Sequence, residues 1–207
     1  ALDGAFAANP LHYEPHAPAP CQLDVYGNFW SINNGHVLVL PANASSTWQS
    51  AWTSAGPQDV LFADSVGYIW LIGPAQWKRF CPREMERGWQ TVASPRPQSI
   101  VTAVSRSPDE LLLVAFANGD LVEISTAADD SVHHRLRASL PAAARCMCSG
   151  ADGALWAATD DALYRQRPTQ EAWQHRWNRC PGRLPGGGNH DIFSASCEGT
   201  LYVAGGW

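Results

Sequence analysis

The residues best placed to do chemistry are Asn189, His190 and Asp191, which follow the glycine run PGGG and precede the apolar stretch IFSAS. Gly186 to Gly188 give the backbone access to positive φ, so the triplet is expected on a loop that enters a strand. A carboxylate beside an imidazole can orient the ring, and His190 with Asp191 would then serve as a general acid or base. The competing reading is a histidine that braces the loop through hydrogen bonds. A second grouping is aromatic and basic. Trp173 and Trp177 lie among Arg165, Arg167, Arg176, Arg179 and Arg183, with only Glu171 opposing. Such a strip suits an acidic glycan or a protein partner, and it also suits a solvated outer strand.

Other polar residues carry less. His133 and His134 are adjacent and would point to opposite faces of a strand, which argues against a shared metal. Cys146 and Cys148 share a face at i and i+2, yet two thiols do not complete a zinc shell. The six cysteines, at 21, 81, 146, 148, 180 and 197, fit neither a small disulfide framework nor a paired zinc site. Asn43-Ala44-Ser45 matches the N-glycosylation pattern, relevant to a secreted eukaryotic protein. No nucleophile elbow, P-loop, dinucleotide fingerprint or zinc-protease helix is present, and no metal or cofactor is expected.

The elements that position these residues are legible as a repeat. A turn followed by a short apolar strand recurs as YGNFW, VGYIW, PDELLL, DGALW and EGTLY. Aligned on Trp30, Trp70, Leu112, Trp156 and Tyr202, the copies are 40, 42, 44 and 46 residues apart. Each has an apolar stretch before its turn and another after a second turn, as in NNGHVLVL and ANGDLVEI, which reads as strand, turn, strand, turn, strand. A Trp-Gln pair keeps the register: Trp48-Gln49, Trp89-Gln90 and Trp173-Gln174 follow their anchors by 18, 19 and 17 residues. The third copy lacks this pair. Trp30, Trp70 and Trp156 are expected to pack between neighbouring sheets, and Trp48, Trp89 and Trp173 to cover outer strands.

A period of this length holding four strands predicts an all-β β-propeller of five blades of four antiparallel strands, or part of a larger ring. A lone blade cannot bury both of its faces, so the repeats must stack. The blades are expected near 21–57, 58–98, 99–142, 143–189 and 190–207 of one 1–207 domain, with residues 1–20 supplying closing strands for the last. Closure would leave no open edge. The 207 residues carry a net charge of −5, which argues against a nucleic-acid binder. No apolar run is long enough to span a bilayer. The opening ALDGAFAANP lacks a signal-peptide pattern, so any targeting segment is expected to have been removed.

These repeats resemble the tectonin and tachylectin-2 type of propeller lectin. The resemblance covers about 190 residues and rests on G-x-[LIF]-W, the polar turn after it and the Trp-Gln mark. The last copy, RLPGGGNHDIFSASCEGTLYVAGGW, resembles a kelch repeat, with Arg183, His190 and an L-Y-V-x-G-G strand in order. The resemblance implies carbohydrate binding without metal, through aromatic faces and short polar side chains, and favours a secreted or cell-surface location. Asn189, His190, Asp191, Trp173, Trp177 and Arg176 are the expected ligand contacts. The alternatives are a polysaccharide lyase or glycosidase acting through His190 and Asp191, and a protein-interaction propeller within a larger assembly.

Overall fold

The computed structural model describes residues 22–43, 48–52, 54–74, 76–107, 109–127, 129–150, 152–170, 172–178, 192–197 and 200–205. The expected triplet Asn189, His190 and Asp191 and the expected closing segment 1–20 lie outside these residues. The chain divides into two units, Ala1–Gln98 and Ser99–Trp207.

The first unit holds two antiparallel four-stranded meanders. One runs β1 (Gln22–Leu23), β2 (Phe29–Asn33), β3 (His36–Leu40) and β4 (Gln49–Trp52). The other runs β5 (Val60–Ala63), β6 (Ile69–Ile72), β7 (Trp77–Phe80) and β8 (Gln90–Val92). The turn from β2 to β3 is Asn34-Gly35, both at positive φ (48° and 77°), the tight hairpin connection whose twist matches the strands.

The turn from β1 to β2 has a different design. Asp24 is 4% exposed, and its Oδ1 accepts the backbone N–H groups of Tyr26 and Asn28, both at 2.9 Å. Its Oδ2 accepts Asn28 Nδ2 and the Trp30 indole Nε1, both at 2.8 Å. The second sheet repeats this. Asp64 Oδ1 accepts from Val66, Gly67 and Tyr68 at 2.8 to 3.0 Å, and its Oδ2 accepts Trp70 Nε1 at 2.8 Å. Each carboxylate thus satisfies the turn amides and fixes the indole six residues later, which is why the motif reads D-x-x-G-x-x-W.

Trp30 is fully buried against Val37, Val39, Leu61, Ile69, Leu71 and Phe80, so it packs between the two sheets as expected. Burying an indole of roughly 200 Å² at ~25 cal/mol per Å² is of order 5 kcal/mol of transfer free energy. Trp89 stands just before β8, stacks on Phe80 at 5.3 Å and donates Nε1 to the Ala51 carbonyl at 3.0 Å. Trp89 therefore ties the fourth strand of its sheet to the fourth strand of the sheet before it.

The second unit repeats the meander twice. One sheet is β9 (Val101–Arg106), β10 (Leu112–Phe116), β11 (Asp120–Thr126) and β12 (Val132–Ser139). The other is β13 (Cys146–Ser149), β14 (Leu155–Ala158), β15 (Ala162–Gln166) and β16 (Gln174–Asn178). A two-stranded antiparallel pair follows, β17 (Ile192–Cys197) and β18 (Thr200–Gly205), with β17 beside β13. Among the described residues there is no α-helix, only a 3-10 turn at Met85–Arg87.

The turn bonds correct one alignment. Asp24, Asp64, Ser107 and Gly150 each donate N–H to a carbonyl four residues on, and the residue three after each has positive φ: Gly27, Gly67, Glu110 and Gly153. The third counterpart of Trp30 is therefore Leu113, not Leu112, and the spacings become 40, 43 and 43 residues. Leu113 packs with Ala103, Leu121, Met147 and Leu155 between its sheet and the next. Leu112, one residue away, necessarily lies on the other face.

Asp64→Ala removes the acceptor of three backbone donors and the buried Trp70 indole, and is expected to destabilise the protein by about 1–3 kcal/mol. Urea denaturation measures it; an unchanged midpoint would show that water replaces the carboxylate.

Candidate functional site

The same turns build a groove at one end of the first unit. Tyr26 sits in the β1–β2 turn, its own N–H held by Asp24. Asn28 Oδ1 accepts the Ala42 N–H at 3.1 Å, which ties the chain after β3 to that turn. The connection from β7 to β8 is folded by bonds from Glu84 N to the Cys81 carbonyl and from Gly88 N to the Met85 carbonyl, both 3.0 Å. This fold brings the Arg83 guanidinium over the Tyr26 ring at 4.6 Å. The groove has a volume of about 450 Å³ and is lined by Tyr26, Asn28, Asn43, Pro82, Arg83 and Met85. That volume falls in the range of small-molecule pockets.

Gly67, in the β5–β6 turn, has φ +109° and lies against the Tyr26 hydroxyl, so a methyl group there would overlap the phenol. The Tyr26 hydroxyl is held above its ordinary pKa. Burial is the main cause, Arg83 pulls it down, and Cys81, Asp24 and Asp64 push it up. The site therefore pairs a neutral phenol with a cation lying on it.

The sequence-expected residues are distributed elsewhere. Trp173 is half-buried and packs against the core between the third and fourth sheets, and its Nε1 has no hydrogen-bond partner. Arg176 is exposed on β16 at the irregularity where the pairing shifts from Tyr164–His175 to Leu163–Trp177. Trp177 follows it on the same strand. Arg165 does not belong to a free basic strip: it ion-pairs with Asp152 and lies over the Trp156 ring at 5.2 Å. His133 and His134 lie on β12 opposite Ser125 and Ile124, both exposed and on opposite faces. Cys81 is a half-buried free thiol, and Cys146 and Cys148 lie on β13 two residues apart. Among the described residues no three His, Cys, Asp or Glu side chains are arranged to hold a metal, and no helix is long and apolar enough to cross a membrane.

Sequence reasoning did not single out Tyr26, Asn28, Arg83 or Met85. Arg83 is 57 residues from Tyr26 and their proximity arises only from sheet stacking.

No protein-family model and no curated protein sequence matches the chain. Solved structures do. A streptogramin B lyase superposes with a TM-score of 0.63 at 15% identity, over 96% of this chain and 64% of its own. The virginiamycin B lyase of Staphylococcus aureus gives 0.61 at 14%, over 89% and 62%. A gluconolactonase of Xanthomonas campestris gives 0.61 at 15%, over 90% and 68%. The fold is the all-β propeller type. The chain spans under two thirds of the length of the two lyases. At these identities the likeness concerns the fold alone.

Arg83→Gln is expected to raise the Tyr26 pKa further, because it removes the neighbouring charge that favours phenolate. Titration of the Tyr26 ring carbon by NMR measures the shift; an unmoved or lowered value would mean that Arg83 does not sit over the ring in solution.

Proposed function

We propose that the protein is a carbohydrate-binding, lectin-like β-propeller. The observation that supports this best is the groove at Tyr26, where an aromatic ring, a thioether and a proline supply apolar surface beside amide and guanidinium donors. Sugars present the same mixture, C–H faces bordered by hydroxyls, and pockets of mixed lining with few placed polar groups suit them. Asn43 and Arg83 are both exposed at the groove, so their donors are accessible to a ligand's oxygens. No metal is needed for this mode of binding.

The strip on β16 with Trp173, Arg176 and Trp177 is proposed as a second glycan contact. Asn189, His190 and Asp191 are retained as the loop to test for a third contact or for catalysis. Divergence of the copies favours such unlike sites over equivalent ones. Only the first two copies carry the full D-x-x-G-x-x-W turn, at Asp24 and Asp64.

A broad glycan array read with and without EDTA tests the proposal. Binding that survives EDTA and falls at least tenfold in Tyr26→Ala, with the melting temperature of the variant checked alongside, is the expected result. No hit on the array at high protein concentration would refute the lectin reading.

A further inference from the structure

Among the described residues the Arg83 side chain in the groove has no carboxylate partner. Several arginines elsewhere pair with carboxylates: Arg87 with Glu84 at 2.6 Å, Arg145 with Asp160 at 2.8 Å, Arg135 and Arg137 with the buried Glu123, and Arg165 with Asp152. Arg83 is exposed and stands next to Glu84, which Arg87 takes instead, and its neighbour among the described residues is the face of Tyr26. The nearby carboxylates of Asp24 and Asp64 are committed to four hydrogen bonds each, from turn amides, the Asn28 side chain and the indoles. An exposed guanidinium resting on an aromatic face keeps its planar fork of donors while losing part of its rotamer freedom. That preorganisation lowers the entropic cost of a bidentate contact, and the groups that match the fork are carboxylate and phosphate, of which the carboxylate is the one a sugar carries on its own carbon skeleton.

Resting on the carbohydrate reading above, we propose that the Tyr26–Arg83 groove takes a sugar bearing a carboxylate, a uronic or sialic type of residue, with Arg83 binding the acid group. Asn43 is positioned to meet ring hydroxyls, and Met85 to cover the C–H face. A neutral sugar of the same shape would leave the fork solvated and gain nothing from it. The chain's net charge of −5 gives no general attraction for acids, so discrimination must come from this contact.

The experiment is an NMR titration of the isotope-labelled full chain with glucuronate and, at the same ionic strength, with glucuronamide. Glucuronate is expected to shift the Arg83 Nε–H and the amides of Tyr26 and Gly67, with an affinity at least tenfold above that of the amide. Arg83→Gln should abolish the difference while leaving resonances of the second unit in place, and Arg83→Lys should restore part of it. Equal affinity for acid and amide, unchanged in Arg83→Gln, would overturn the acid preference and leave the lectin reading standing. Equal silence toward both compounds, with the array also blank, would overturn both. Shifts that acetate reproduces at the same concentration would show carboxylate capture without sugar recognition, and would overturn the proposal as stated.

Discussion

A buried carboxylate that gathers turn amides and an indole N–H is the interaction on which the first unit rests. Asp24 and Asp64 each sit six residues before a tryptophan and accept four hydrogen bonds. Without that acceptor the turn would bury unsatisfied donors, and the indole would bring a polar atom into the core at a cost of about 1–3 kcal/mol. With it, the buried Trp30 and Trp70 are each held at the indole nitrogen. The groove inherits this order, since Tyr26 hangs from the turn that Asp24 closes and its hydroxyl lies on Gly67, in the turn that Asp64 closes.

The sheets share a cross-strand row whose chemistry changes from copy to copy. In the second sheet Trp70, Arg79 and Gln90 lie side by side, and Arg79 Nε donates to Gln90 Oε1 at 3.1 Å. In the fourth the row is Trp156, Arg165 and Gln174. In the third it is Leu113, Glu123 and Arg135: the acceptor has moved to the third strand and the donor to the fourth, joined at 2.8 Å. The pair is kept and its polarity reversed, which explains why this copy lost the Trp-Gln mark without losing its sheet. Where Gly150 stands in place of the turn aspartate, Trp156 is only half-buried and Arg165 covers its ring.

The repeat was legible because a turn, an apolar strand and an outer-strand tryptophan recur together, and four four-stranded antiparallel sheets are what such a repeat builds. Leu112 was misaligned because Leu111, Leu112 and Leu113 are chemically alike, and only the turn bonds tell which faces the next sheet. The aspartates were visible in the sequence as D-x-x-G-x-x-W, twice, yet the turn was read from its glycine alone. Tyr26 and Arg83 could not be paired from sequence, since their contact depends on how two sheets stack. Arg165 looked unopposed because its partner, Asp152, lies across a sheet rather than nearby in the chain.

Whether carboxylate and indole stabilise the turn as a coupled pair is read by a double-mutant cycle of Asp64→Ala and Trp70→Phe followed by urea denaturation. Because Phe keeps the apolar burial but removes the N–H, a coupling of about 1–2 kcal/mol between the two sites is expected. Effects that add within about 0.3–0.5 kcal/mol would contradict it, placing the stability of the turn in its backbone and that of the tryptophan in packing alone.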